Sequence, residues 1–131
     1  MAKVVFTFGR MNPPTAGHKQ VLDTMCKIDA DHLVFLSYTQ DSKTNPLSWT
    51  ERRKIINKCY PEVLVPEDSS IKTPFQALEQ LCKLYDDIVF VIGDDRVEAF
   101  TLAMPKYAKE WGAKNFKVVS AGQRLAESDG I

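Results

Sequence analysis

Phe8-Gly9-Arg10-Met11-Asn12-Pro13-Pro14-Thr15-Ala16-Gly17-His18 is the stretch on which the reading of this chain turns. It follows Val4-Val5-Phe6-Thr7-Phe8, an apolar run that reads as a buried strand. It precedes residues with helical spacing, so strand, glycine- and proline-marked turn and helix start arrive in order. In that geometry backbone N–H groups and a helix N-terminus can hold a phosphate. Gly9 permits a tight turn and close backbone approach. Arg10 carries a fixed fork of donors suited to phosphate oxygens. Pro13 and Pro14 stiffen the approach to the helix. Thr15 can cap that helix or turn its hydroxyl to a ligand. Gly17 removes a side chain where a ligand could lie, and His18 offers an imidazole donor in the first turn. A capping threonine and a hydrogen-bonded structural histidine would explain a lone Gly-His pair. The whole string, placed after a first strand, reads better as a phosphate loop.

Outward from this loop, apolar runs recur at 33–36, 63–65, 88–92 and 116–119, separated by helical patterns. Continuous β-branched runs suit strands buried on both faces. Strands alternating with helices imply βαβ units, a parallel sheet and right-handed crossovers. The expected fold is a single α/β domain over residues 1–131. It is a Rossmann-like, doubly wound, five-stranded parallel sheet of order 3-2-1-4-5 with helices on both faces. Helix 1 should begin after Thr15 and pack Val21, Leu22 and Met25, with His18 above that stripe. Helix 2 carries a capping box, Ser48-Trp49-Thr50-Glu51, and should bury Ile55, Ile56 and Cys59 before Pro61. Helix 3 has Thr73 as cap and Pro74 at its first position, with a stripe of Phe75, Leu78, Leu81, Cys82 and Tyr85. Helix 4 should start near Asp94 or Asp95, turn Val97, Phe100 and Leu102 inward, and be interrupted at Pro105, with a further turn over 106–111. Ligands in such sheets bind outside the carboxyl ends of the strands. The loops at 9–15, 93–96 and 120–124 should therefore converge on one crevice.

The composition agrees with a globular domain. The chain has 131 residues, 44% hydrophobic and 26% charged, with 17 Lys+Arg against 17 Asp+Glu. The absence of a basic excess disfavours a nucleic-acid partner. No apolar run approaches the roughly 20 residues that span a membrane, and the N-terminus does not read as a signal peptide. Cys26, Cys59 and Cys82 are too few and too widely spaced for a disulfide framework or a zinc site. They are expected as buried thiols in a reducing, cytoplasmic compartment. No His/Asp/Glu cluster has ligand spacing, so no protein-held metal is expected. Lys43 sits in a polar loop, and Arg52 and Arg53 read as surface charges unless one of them faces the crevice. Trp49 reads as a staple for helix 2, and His32 as structural or exposed. Phe100, Met104, Tyr107 and Trp111 fit either the core or the interface of a homo-oligomer.

Gly9-Arg10-x-Asn12-Pro13-x-Thr15-x-Gly17-His18 resembles the signature of the nucleotidylyltransferase superfamily, the cytidylyltransferase-like proteins with an H/T-x-G-H motif. Thr15 stands where many members have the first His. Asn45-Pro46-Leu47, Gly93-Asp94-Asp95-Arg96-Val97, Lys106-Tyr107 and Ser120-Ala121-Gly122-x-Arg124 look like a branch found in tailed-phage genomes, which would place the chain in a host cytoplasm. The resemblance implies transfer of AMP or CMP from ATP or CTP to a small phosphorylated acceptor, with release of pyrophosphate. Magnesium would be held mainly by the triphosphate. Among the residues, it implies that His18 binds the α-phosphoryl oxygens, Thr15 orients the triphosphate and Arg10 meets phosphate. Phe8, Gly9, Met11 and Gly17 would line the nucleotide, with Gly93, Asp95 and Arg96 facing base and ribose. Lys43 would reach acceptor or triphosphate phosphates, and Ser120 and Arg124 would complete the nucleotide site. The family's second signature, I-S-x-T-x-x-R, does not occur before Ile131, so its helix is expected to be missing from the sequence. The alternative expectation is a nucleotide-binding module with weak or no turnover.

Overall fold

A computed structural model describes residues 3–9, 16–38 and 47–121, the side chains of Ala16, Gly17, Asp94 and Asp95 excepted. Its elements are β1 (Lys3–Gly9), α1 (Ala16–Cys26), β2 (Asp31–Leu36), α2 (Trp49–Cys59), α3 (Pro74–Cys82), β3 (Asp87–Ile92), α4 (Asp94–Glu110) and β4 (Asn115–Ser120). The four strands form one parallel sheet of order β2-β1-β3-β4.

Successive side chains of a strand point to opposite faces, and both faces here are apolar. Val4, Phe6, Phe35, Ile88 and Phe90 pack with α3 and α4, whereas Val5, Val34, Leu36, Val89 and Val91 pack with α1 and α2. The first face is built on aromatic contacts. Phe6 stacks on Phe90 at 4.6 Å and meets Phe35 edge-on at 6.0 Å; Phe90 meets Phe100 edge-on at 5.3 Å.

The expected fifth strand is reduced to one bridge. Residues 63–65 lie beside β2, where Val34 N donates to Leu64 O (2.8 Å) and Leu64 N to His32 O (2.9 Å). Val63 and Val65 are buried while Leu64 is 62% exposed. Pro61 and Pro66 flank this segment, and a proline cannot donate to a ladder, so pairing has no room to extend. The order of the runs, 3-2-1-4-5, is otherwise kept.

The helices follow their start signals more closely than their expected faces. On α1, Val21, Leu22 and Met25 are buried. The capping box of α2 forms: Glu51 N donates to Ser48 Oγ and Ser48 N to Glu51 Oε1, both at 3.1 Å. The buried residues of α2 are Trp49, Arg52 and Ile56, not Ile55 and Cys59. Thr73 caps α3 by accepting from Gln76 N, and Leu78 and Leu81 are buried as expected.

Helix α4 departs most from expectation. It runs unbroken through Pro105. Pro105 and Thr101 both lie on the exposed side, where the carbonyl that loses its N–H partner can take water instead. The helix starts at Asp94, as expected, with Gly93 as N-cap and no side-chain cap bond. The inward stripe is Val97, Phe100, Met104 and Ala108; Leu102 is 79% exposed because it lies about 200° around the helix from Phe100. Phe100, Met104, Tyr107 and Trp111 are therefore packing residues. Tyr107 sits between Phe75 (5.6 Å) and Trp111 (5.4 Å). The helix ends on Gly112 at φ 97°, with Gly112 N donating to Lys109 O and Ala113 N to Ala108 O. That is the double bond pattern of a left-handed C-terminal cap, which glycine adopts without strain.

His32 is structural, its Nε2 donating to Ile28 O at 2.7 Å. The cysteines are less buried than expected. Cys59 is exposed, and Cys26 and Cys82 are half-buried. Burial and the neighbouring Glu62 carboxylate push the Cys26 thiol up to about 12.

Tyr60, just past α2, donates to Asp23 of α1 at 2.6 Å, and Lys19 donates to the same carboxylate at 2.9 Å. These bonds, Tyr60 first, hold the Asp23 carboxyl below its ordinary value. The folded chain then binds protons here less readily than the unfolded chain, so the contribution is present above the ordinary carboxylate pKa. It is lost as pH falls through the lowered value. Tyr60→Phe should accordingly destabilise the protein at about pH 6 and converge on the wild type by about pH 2, as read by urea unfolding at each pH.

Candidate functional site

The sheet itself locates a crevice. The ladder between β1 and β3 stops at Phe6↔Phe90. Beyond that rung, β1 continues to Gly9 paired with β2 alone, and β3 continues to Ile92 paired with β4 alone. The two central strands thus part at their carboxyl ends, where the chain order reverses. That is the switch point at which open α/β sheets take ligands.

Both lips are fixed. On one, Gly9 lies opposite Leu36, and Ser37 N donates to Gly9 O at 3.0 Å. On the other, Ser120 lies opposite Ile92, and Ala121 N donates to Ile92 O at 2.9 Å. Two helices begin at this edge on opposite faces of the sheet. Helix α1, on the Val5 face, places Gly17 and a half-buried His18 in its first turn. Helix α4, on the Phe6 face, starts from Gly93 (φ −65°, ψ 152°), with Asp95 and Arg96 in its first turn and Arg96 exposed. A helix start without a side-chain cap leaves backbone N–H groups and the positive end of a dipole for an acceptor.

The fold therefore brings Phe8, Gly9, Gly17, His18, Gly93, Asp95, Arg96 and Ser120 to one edge of the sheet. Phe8 is half-buried against the α3/α4 side of the core. Arg10, Met11, Thr15, Lys43 and Arg124, also expected at the site, lie outside the described residues.

Sequence reasoning missed the burial of one residue at this edge. Arg52, expected at the surface, is fully buried in the first turn of α2, and its Nε donates to Ser48 O at 3.2 Å. Burial lowers its pKa from the ordinary value, with the Tyr38 phenol opposing. The signal was present in the spacing: Trp49, Arg52 and Ile56 stand at i, i+3 and i+7, the core stripe of a helix. Beside it, the ring of Tyr38 lies parallel to that of Trp49 at 5.6 Å, and the Arg53 guanidinium sits over Trp49 at 5.5 Å.

Among the described residues no three His, Cys, Asp or Glu side chains converge to hold a metal ion, and no helix is long and apolar enough to cross a membrane. What the edge offers is backbone and side-chain donors to an anion.

A parallel sheet with a donor-lined switch point defines a class of nucleotide-binding α/β proteins. Within that class the chain belongs to the cytidylyltransferase-like family, whose model matches residues 6–128. No curated protein matches it. Among solved structures it is similar to a Vibrio parahaemolyticus protein assigned as a nicotinate-nucleotide adenylyltransferase. That match has a TM-score of 0.66 and 23% identity, over 95% of this chain and 76% of the other. It is also similar to the Plasmodium falciparum nicotinic acid mononucleotide adenylyltransferase. In complex with NaAD that enzyme matches at TM-score 0.60 and 13% identity, covering 96% and 78% of the two chains. In complex with APC it matches at 0.58 and 14%, covering 98% and 79%. At these identities the likeness is one of fold.

Proposed function

We propose that this chain is a nucleotidylyltransferase, transferring AMP or CMP from a nucleoside triphosphate to a small phosphorylated acceptor. The observation that carries the reading is the parting of β1 and β3 with the Gly17-His18 turn of α1 at the lip. In this reading the His18 imidazole and the α1 N-terminus support the triphosphate. The adenylyltransferase names of the structural neighbours favour ATP as the donor.

In this reading an acceptor phosphate oxygen attacks the α-phosphorus. The new O–P bond forms as the bond to the β-phosphate oxygen breaks, and the electron pair leaves on pyrophosphate. No group of the protein is bonded to phosphorus at any stage. Catalysis is positioning together with charge stabilisation. His18 donates to the α-phosphoryl oxygens as they gain charge, with Thr15 orienting the triphosphate and Arg10 and Lys43 adding positive charge. Phe8, Gly9, Met11 and Gly17 line the nucleotide, and Gly93, Asp95, Arg96, Ser120 and Arg124 meet base, ribose or phosphate. Magnesium would be held mainly by the triphosphate and water rather than by side chains, and would supply charge neutralisation to the phosphates.

The test is pyrophosphate release from ATP or CTP with Mg²⁺ and a panel of acceptors: nicotinate and nicotinamide mononucleotides, phosphopantetheine, and polyol and amino-alcohol phosphates. Release with one pair is expected. No release with any pair, together with no binding of either triphosphate, would overturn the reading.

A further inference from the structure

We propose that the Trp49 indole N–H and the Ser37 hydroxyl form a donor wall that holds the phosphate of the acceptor. This rests on the nucleotidyl transfer argued above. Trp49 is 8% exposed, yet its Nε1 has no hydrogen-bond partner among the described residues, and neither has the shielded Ser37 Oγ. Buried polar groups left unmade cost folding free energy, and most native ones are satisfied. Two such groups in one crossover mark a place built for something other than the chain itself.

Their position says what. Ser37 follows β2 and is tied through its own N–H to Gly9 O, at the lip of the crevice. Trp49 opens α2 at the same edge of the sheet, and Tyr38, next to Ser37, lies flat against the indole with an interplanar angle of 1°. The indole thus has the Tyr38 ring parallel to it and the Arg53 guanidinium over its ring, contacts that restrain its orientation. A restrained donor suits recognition, because little freedom is lost on binding. The fully buried Arg52 guanidinium lies one helical turn from Trp49. Its charge favours an anion over a neutral ligand. A tetrahedral oxyanion accepts from N–H and O–H donors at once, so the acceptor's phosphate monoester is the group that fits. The triphosphate lies instead toward α1.

The experiment isolates that subsite. The protein is saturated with the α,β-methylene analogue of ATP, or of CTP, which fills the triphosphate position without reacting. Inorganic phosphate is then titrated by calorimetry. Wild type should bind phosphate, and Trp49→Phe, which keeps a ring and loses the donor, should bind it about tenfold more weakly. Ser37→Ala should weaken it similarly, with analogue affinity unchanged in both variants. Trp111→Phe, at the far end of α4, should leave phosphate binding as in wild type. The ligand-free Trp49→Phe protein should melt no lower than wild type, because an unsatisfied donor has been removed; a purely structural tryptophan would show a lower melting temperature. Equal phosphate affinity in wild type and Trp49→Phe, or no phosphate binding by the analogue-saturated wild type, overturns the donor wall. Failure of the wild type to bind either analogue overturns the nucleotidyl-transfer reading instead.

Discussion

His18→Ala is expected to lower kcat for pyrophosphate release about 10³-fold, with a much smaller change in the KM of the triphosphate. The size follows from where the histidine stands. It lies in the first turn of α1, half-buried, at the edge where β1 and β3 separate. In the proposed mechanism its ring donates a hydrogen bond, and a donor gains most when the α-phosphoryl oxygens gain charge in the transition state, and less in the ground state. That asymmetry is why kcat should fall more than KM rises. His18→Asn, which keeps a short N–H donor, should recover part of the loss. Packing of α1 rests on Val21, Leu22 and Met25, so the melting temperature of His18→Ala should stay near that of wild type. A wild-type kcat in His18→Ala, or an equal loss of activity and of folded protein, would remove the histidine from the chemistry.

The sequence allowed this residue to be placed because three independent signals coincide on it: an apolar strand, a glycine- and proline-marked turn, and helical spacing from Val21 onward. Local patterns of this sort also announced the capping box of α2, the Thr73-Pro74 start of α3 and the two-faced burial of the sheet. What was not legible depended on partners distant in the chain. Residues 63–65 look as apolar as the other strands, but their prolines restrict them to a single bridge beside β2. Leu102 was read as inward by hydrophobicity alone, yet the phase of α4 is set by Met104 and Ala108 against the sheet. Pro105 was read as an interruption because the exposure of Thr101 could not be known from local sequence. Arg52 shows the same limit at the site. Its charge argued for the surface, and only the buried stripe of α2, with Trp49 and Ile56 on the same face, overrides that argument. The crevice itself is a property of strand pairing, since the end of a ladder at Phe6↔Phe90 leaves no mark in either strand's composition.

That last rung carries the second large effect. Phe90→Ala should cost about 4 kcal/mol of stability, near the middle of the range for deleting a buried aromatic ring. Phe90 is 1% exposed and touches Phe6 face-on and Phe100 edge-on, so its removal leaves a cavity bounded by two strands and α4. Rigid neighbours on both sides cannot collapse into that space, because Phe6 is held in turn by Phe35. For a domain whose total stability is about 5–15 kcal/mol, a loss of this size moves the urea midpoint far down. Leu102→Ala on the same side of the sheet is the control. At 79% exposure it should shift stability by less than about 0.5 kcal/mol. If Leu102→Ala cost as much as Phe90→Ala, the assigned phase of α4 would be wrong. The stacked pair Phe6–Phe90 also forms the floor on which β1 and β3 part, so its loss should reach the site above it. At a temperature where the Phe90→Ala protein is still folded, its affinity for the unreactive triphosphate analogue should fall, whereas Leu102→Ala should leave that affinity unchanged. A folded Phe90→Ala protein with wild-type affinity would separate the core from the crevice, and nucleotide binding would then depend on the loops alone.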